Sequence, residues 1–458
     1  MKARLDCEGN IPKEALEPTA TSTGRSSLPE VHRSIPIPPK GFWPKLIAYA
    51  GPGYLISVGY MDPGNWATDL AGGARFGYAL LSVVLISNLM AVVLQSLAVR
   101  LGVATGRDLA QACRDYFHPG IAFCLWVLCE IAIIACDLAE LLGSAIALQL
   151  LFGIPLAGGV CITALDVFVV LFLQTKGFRY VEALVVVLVA TVGVCFAAEL
   201  VFARPDVGGI LLGYVPRLEI VQNPEMLFIA VGILGATVMP HNLYLHSSIV
   251  QTRAWGQSSP ERWEAIKFGT LDSTVALSLA LFINSAILIV AAATFHFSGY
   301  QGVAEIQDAH KLLSPLLGVG AASTIFALAL LASGQSSTLT ATLAGQVVME
   351  GFLNLRLAPW LRRVVTRAIA IIPALAVIAI LGEGATGSLL VLSQVVLSLQ
   401  LSFAVVPLVM FTNDARVMGE FVNPLWLKVL AWSIAVFIGG LNGWLLLQTL
   451  LSWIASHG

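Results

Sequence analysis

The stretch Gly59-Tyr60-Met61-Asp62-Pro63-Gly64-Asn65 constrains this chain more than any other. It lies inside an apolar run long enough to cross a bilayer. A charge at the centre of such a run costs about 2.5–3.5 kcal/mol on insertion scales, so an Asp there marks a working site. Pro63 has no N–H, and Gly64 tolerates backbone conformations closed to other residues. Together they predict a helix broken beside a carboxylate and a carboxamide. Broken backbone at membrane depth persists only where it is buried in protein or lines a cavity.

The rest of the chain supplies the protein around that break. Of 458 residues, 57% are hydrophobic and 11% charged, against about 25% charged in soluble domains. Eleven spans are predicted, at about 45–71, 78–101, 120–143, 155–174, 180–203, 226–251, 268–294, 316–349, 362–381, 387–411 and 425–453. The expected class is therefore an all-α polytopic membrane protein. Residues 1–40 are polar and lack the apolar core of a signal peptide, which predicts a disordered cytoplasmic tail. Residues 41–455 form one transmembrane domain joined by short loops.

Lys and Arg placement orients the bundle. With the N-terminus inside, the cytoplasmic regions hold twenty-one basic residues and the outer ones four: Arg75, Arg204, Arg217 and Lys311. That bias puts the N-terminus in the cytoplasm and the C-terminus outside. The lack of targeting signals suits a bacterial inner membrane. The net charge of −2 and the absence of a basic recognition segment argue against nucleic acid. The seven cysteines form no CxxC pair and read as small buried apolar residues. No P-loop, zincin or nucleophile-elbow motif occurs, so neither ATP-driven transport nor an enzyme is indicated. No resident cofactor or obligate protein partner is indicated either.

A second break is predicted in span 6, which reads Gly235-Ala236-Thr237-Val238-Met239-Pro240-His241-Asn242. Overlaying Pro240 on Pro63 places Met239 on Asp62 and Asn242 on Asn65. Paired interruptions in two halves point to a transport site at the midplane of an inverted repeat. The halves run from about 45 to 203 and from about 226 to 411, five spans each, with an extra helix at about 425–453. Asp62 offers a hard anionic oxygen, Asn65 an amide oxygen and Met239 a thioether sulfur. Unwound backbone near Gly59 and Ala236 frees carbonyl oxygens. Sulfur adds little for Mg²⁺ or Ca²⁺, which demand oxygen, but suits softer transition metals. The mixed set fits Mn²⁺ or Fe²⁺, with Co²⁺ and Cd²⁺ as passengers. A methionine on a helix is commonly packing; its symmetry with Asp62 sets this one apart.

These two signatures resemble those of the Nramp (natural resistance-associated macrophage protein) divalent-metal transporters, of the bacterial manganese type. The likeness extends over all the spans and includes Asp137-Leu138-Ala139-Glu140 and Ser393-Gln394. It implies a leucine-transporter-like fold with helices 1 and 6 broken, and proton-coupled uptake of Mn²⁺ or Fe²⁺. It implies metal ligands at Asp62, Asn65 and Met239, carbonyls from Gly59 and Ala236, and Gln394 in some conformations. The family often has Ala where this chain has Gly59.

Span 3 carries Glu130, Asp137 and Glu140 on one stripe. Buried acids need partners, and Arg362, Arg363 and Arg367 at the start of span 9 are the candidates. The resemblance implies that Asp62, His241 and pairs between spans 3 and 9 handle the proton. The plainer reading is that Glu130, Asp137, Glu140, Arg367 and His246 only hold the bundle together. Asn88, Gln95, Asn284 and Asn442 read as amides bonding neighbouring helices. The run from Ser333 to Thr338 reads as close packing. The functional expectation is a proton-coupled secondary importer working by alternating access. The alternatives are a small organic-solute symporter, such as one for amino acids, or a passive metal channel or sensor. An Asp at the break would repel an amino-acid carboxylate, which disfavours the first alternative.

Overall fold

The computed structural model describes residues 27–163, 165, 177–303, 305–355 and 359–457. Proline and the chemistry beside it decide where the first span divides. It is two helices, α1 (Pro52–Gly59) and α2 (Pro63–Phe76). Then come α3 (Leu81–Thr105), α4 (Pro119–Phe152) and α5 (Phe178–Ala203). The sixth span is again divided, into α6 (Pro224–Thr237) and α7 (Pro240–Ile249). The second half continues with α8 (Ser259–Ala291), α9 (Ala322–Leu353), α10 (Pro359–Leu381), α11 (Thr386–Asn413) and α12 (Leu425–His457).

Seven helical stretches among the described residues are long and apolar enough to cross a membrane: α3, α4, α5, α6 with α7, α8, α11 and α12. The other expected spans depart from that pattern for local reasons. The first is broken, and α9 is diluted by its serine- and threonine-rich centre. In α10 only Ala368–Ile380 is a shorter apolar stretch. The fourth span begins as Leu156–Thr163, and its expected continuation through 166–174 lies outside the described residues. Span 8 starts at Ala322 rather than near 316, because a separate helix, Ile306–Leu317, ends at Gly318 with φ of 67°. Span 7 starts earlier than expected, at Ser259, where Ser258 and Glu261 form a capping box.

The bundle is inside-out in polarity relative to a soluble protein. Val187, Val194 and Val201 face outward one heptad apart along α5. Asp62, Asn65, Asp69, Glu199, His241 and Gln394 are buried. α4 packs against α9 and α11, α6 lies along α11, and α8 supports both α1 and α2. The two broken helices thus sit at the centre, held by continuous ones.

The expectation of a disordered tail to residue 40 is corrected from Ser27 onward. Leu28 and Ile35 are buried, and a short strand β1 (Ile35–Pro36) pairs in parallel with β2 (Arg253–Ala254). Arg33 donates its N–H to the Gln251 carbonyl at 3.0 Å and its Nη2 to the Trp255 carbonyl at 2.5 Å. The Ser27 hydroxyl donates to the buried Asp108 carboxylate, which also caps the helix Leu109–Tyr116. Two apolar side chains and one edge of free backbone suffice to dock a segment that is polar on average.

Candidate functional site

Both breaks are built alike. In a continuous helix the Gly59 carbonyl would accept from residue 63, and the Ala236 carbonyl from residue 240. Both of those residues are proline and have no N–H to give. The two prolines therefore release the two carbonyls that the sequence reading selected. Each proline then occupies the first position of the next helix, where its missing N–H costs nothing.

The residues just before the prolines differ. Asp62 caps α2, its Oδ1 accepting the Asn65 N–H at 2.8 Å. Met239 occupies the same place before α7 and has no such bond to make. Asp62, Met239 and Gln394 are fully buried, and Asn65 nearly so. Among the described residues, Asp62 Oδ2, Asn65 Oδ1 and Gln394 Oε1 have no hydrogen-bond partner. Buried oxygens of this kind are expensive unless something binds them. They belong to three of the expected metal ligands.

Glycines bring these groups together. A Cβ on Gly64 would fall 1.9 Å from Gln394 Nε2, so only glycine lets the α11 side chain reach the first break. A Cβ on Gly235 would fall 2.0 Å from the Gln394 carbonyl, so α6 and α11 touch through backbone. A Cβ on Gly59 would meet Met239 Sδ at 3.2 Å, which places the sulfur of the second break against the backbone of the first. Met239 otherwise packs among Ala132, Cys136, Ala341 and Leu397.

Two residues hold the first break: Asn284, which the sequence reads as an amide bonding a neighbouring helix, and Ser333, which it reads as close packing. Asn284 Nδ2 of α8 donates to the Tyr60 carbonyl at 2.7 Å. Ser333 Oγ of α9 donates to the Met61 carbonyl at 2.5 Å. They satisfy backbone that the break leaves open. Their only sequence signal was polarity within an apolar span.

The expected proton-handling residues are placed in part. Asp137 and Glu140 are buried on α4, and Cys136 Sγ lies 3.7 Å from Glu140 Oε1. Glu130 is only part-buried and accepts from Trp126 Nε1 at 3.0 Å. His241 is buried beside the second break. His246 Nδ1 lies 2.9 Å from Gln95 Oε1, and Gln95 Nε2 donates to the Tyr60 hydroxyl at 2.8 Å. The expected partners Arg362, Arg363 and Arg367 have side chains outside the described residues.

At the start of α1, Asp272 accepts from the Gly51 and Gly53 N–H groups at 3.3 and 2.6 Å. Arg253 pairs with Glu182 at 2.7 Å, and its Nε and Nη2 reach the carbonyls of Ala48 and Ala50. Arg179 bonds the same two carbonyls and that of Ile47. At the start of α11, Glu305 accepts from Thr386 Oγ1 at 2.8 Å and from the Gly387 N–H at 2.7 Å. Burial raises the Glu305 carboxyl above its ordinary range, against those two hydrogen bonds.

The Nramp (natural resistance-associated macrophage protein-like) family model matches residues 53–448. The chain belongs to the Nramp family. Among Nramp proteins it is 77% identical over 431 residues to the divalent metal cation transporter MntH of Nostoc sp. (strain PCC 7120), covering 94% of this chain and 98% of that protein. It is 63% identical to the divalent metal cation transporter MntH of Bradyrhizobium diazoefficiens, covering 93% of this chain and 95% of the relative. The crystal structure of the Eremococcus coleocola manganese transporter, in complex with an aromatic bis-isothiourea substituted compound, superposes with a TM-score of 0.84. It is 42% identical and covers 91% of this chain and 90% of that one. Mhp1, a nucleobase-cation-symport-1 family transporter, superposes with a TM-score of 0.56 at 17% identity, over 89% of this chain and 93% of its own, a likeness of fold alone. This Nramp chain is a multi-pass membrane protein with the leucine-transporter-like arrangement and both central helices broken.

Proposed function

We propose that this Nramp protein imports divalent transition-metal ions, Mn²⁺ and Fe²⁺ foremost with Cd²⁺ and Co²⁺ as further cargo, by proton-coupled alternating access. One observation carries the reading: oxygens of Asp62, Asn65 and Gln394 with no partner among the described residues are buried at the breaks, with the Met239 sulfur against Gly59. In this reading Asp62 supplies the charge that holds the cation, and Asn65 and Gln394 supply neutral oxygens. The carbonyls of Gly59 and Ala236 complete the oxygen set. Met239 supplies the donor that favours transition metals over Mg²⁺ and Ca²⁺. The paired breaks at the centre of the two halves support alternating access.

The proton part of the reading assigns Asp62 and His241 to the site, and Asp137, Glu140, Glu130 and Arg367 to the route away from it. The protein sits in the bacterial inner membrane, N-terminus inside and C-terminus outside, as the basic residues indicate. Uptake by proteoliposomes tests the function. Under an inward proton gradient, Mn²⁺ accumulates above its external concentration and a proton ionophore abolishes the accumulation. Strictly downhill flux that ignores the proton gradient would overturn the reading in favour of a channel.

A further inference from the structure

Asn242 is the third residue of α7, as Asn65 is the third of α2. The two are pseudo-symmetric partners, yet their surroundings differ in one respect. The Asn65 N–H is taken by the Asp62 side chain. The Asn242 N–H goes to the Met239 backbone carbonyl at 3.2 Å, since a methionine side chain cannot cap. The Asn242 side chain is fully buried, and neither its Oδ1 nor its Nδ2 has a partner among the described residues. Burying a carboxamide unpaired costs about 1–3 kcal/mol. A helix this central has every reason to carry an apolar residue there instead.

The position of that carboxamide is informative. A Cβ built on Gly59 would lie 2.4 Å from Asn242 Nδ2 and 3.4 Å from its Cγ, besides the 3.2 Å to Met239 Sδ. The amide and the thioether therefore converge on the same backbone residue. That residue is the one whose carbonyl lost its helical donor to Pro63. Rotating the amide by half a turn exchanges Oδ1 for Nδ2 within the same volume. A second carboxamide thus stands where the first break and the sulfur meet.

We infer that Asn242 is a further donor to the transported cation, and that Gly59 lacks a side chain so that this carboxamide can lie against it. The inference rests on the cation-site reading above. An amide oxygen is a hard, neutral donor. It offsets the softness that Met239 brings, and its contribution falls more on Mn²⁺ than on Cd²⁺. Gly59 and Asn242 act as a coupled pair: a methyl group at position 59 displaces the amide without removing it.

Calorimetric titration of the full-length detergent-solubilised protein with Mn²⁺ and with Cd²⁺ tests this. Asn242→Ala lowers Mn²⁺ affinity about tenfold and Cd²⁺ affinity less than about threefold. Gly59→Ala shifts the two ions in the same sense. The double variant Gly59→Ala/Asn242→Ala binds no worse than Asn242→Ala alone. Asp62→Ala is the control that separates the two claims. If Asp62→Ala loses both ions while Asn242→Ala leaves the Mn²⁺/Cd²⁺ ratio at the parent value, Asn242 is not a donor and the site stands. If Asp62→Ala binds both ions like the parent, the site reading fails and this inference with it. Should Asn242→Ala not fold, Gly59→Ala alone decides, and an unchanged ratio there overturns the proposal.

Discussion

The two broken helices share a plan and differ in how they are secured. At α1–α2 the residue before the proline is an acid that caps its own helix, and side chains from α8 and α9 pin the unwound carbonyls. At α6–α7 the corresponding residue is a methionine with no cap, packed among apolar side chains. The first break is rigid, polar and charged; the second is soft and held by packing. A rigid anionic break is suited to attract a cation strongly. A soft, polarisable one is suited to choose among cations and to let go.

Substitutions at the paired positions put this contrast under test. The largest effect is expected at the charge. Asp62→Ala lowers Mn²⁺ and Cd²⁺ affinity alike by about 100-fold or more in calorimetry. Its counterpart Met239→Ala lowers Cd²⁺ affinity about tenfold, leaves Mn²⁺ nearer the parent, and lets Ca²⁺ compete. Equal losses of both metals in Met239→Ala would erase the division of labour. Next comes the pinning. Asn284→Ala strands the Tyr60 carbonyl and costs about 1–3 kcal/mol of stability, seen as a lower melting temperature. No loss of stability would show that the first break is no more rigid than the second. The smallest effects are expected at the prolines. Pro63→Ala and Pro240→Ala each return an N–H to a site carbonyl and weaken Mn²⁺ binding about three- to tenfold. A loss at only one of them would mean that only one carbonyl serves the ion.

What could be read from the chain was what lies close together along it. Pro63 with Asp62 and Asn65, and Pro240 with Met239, declare their breaks within a few residues, and the repeat follows from comparing them. The supports are remote and so were not legible. Asn284 reaches Tyr60 across 224 positions and Ser333 reaches Met61 across 272. An amide or a serine in an apolar span announces only that it needs a partner. The role of Gly64 was read as flexibility, whereas the structure shows room made for Gln394. The docked segment from Ser27 escaped because two apolar side chains among polar ones leave no periodic pattern.

The approach to α1 is fastened through its backbone. Arg179 and Arg253 hold the entry to α1 by the carbonyls of residues 47, 48 and 50, and Asp272 holds it by the N–H groups of residues 51 and 53. Every one of these contacts is to main chain. Backbone can be held this closely only where no side chain intervenes: a Cβ on Gly51 would fall 2.4 Å from the Glu182 carboxylate, and one on Gly53 would fall 2.6 Å from the backbone of Asp272 and Ser273. The fit is therefore written on both sides of the contact, in Arg179, Arg253 and Asp272 and in the glycines on which they close.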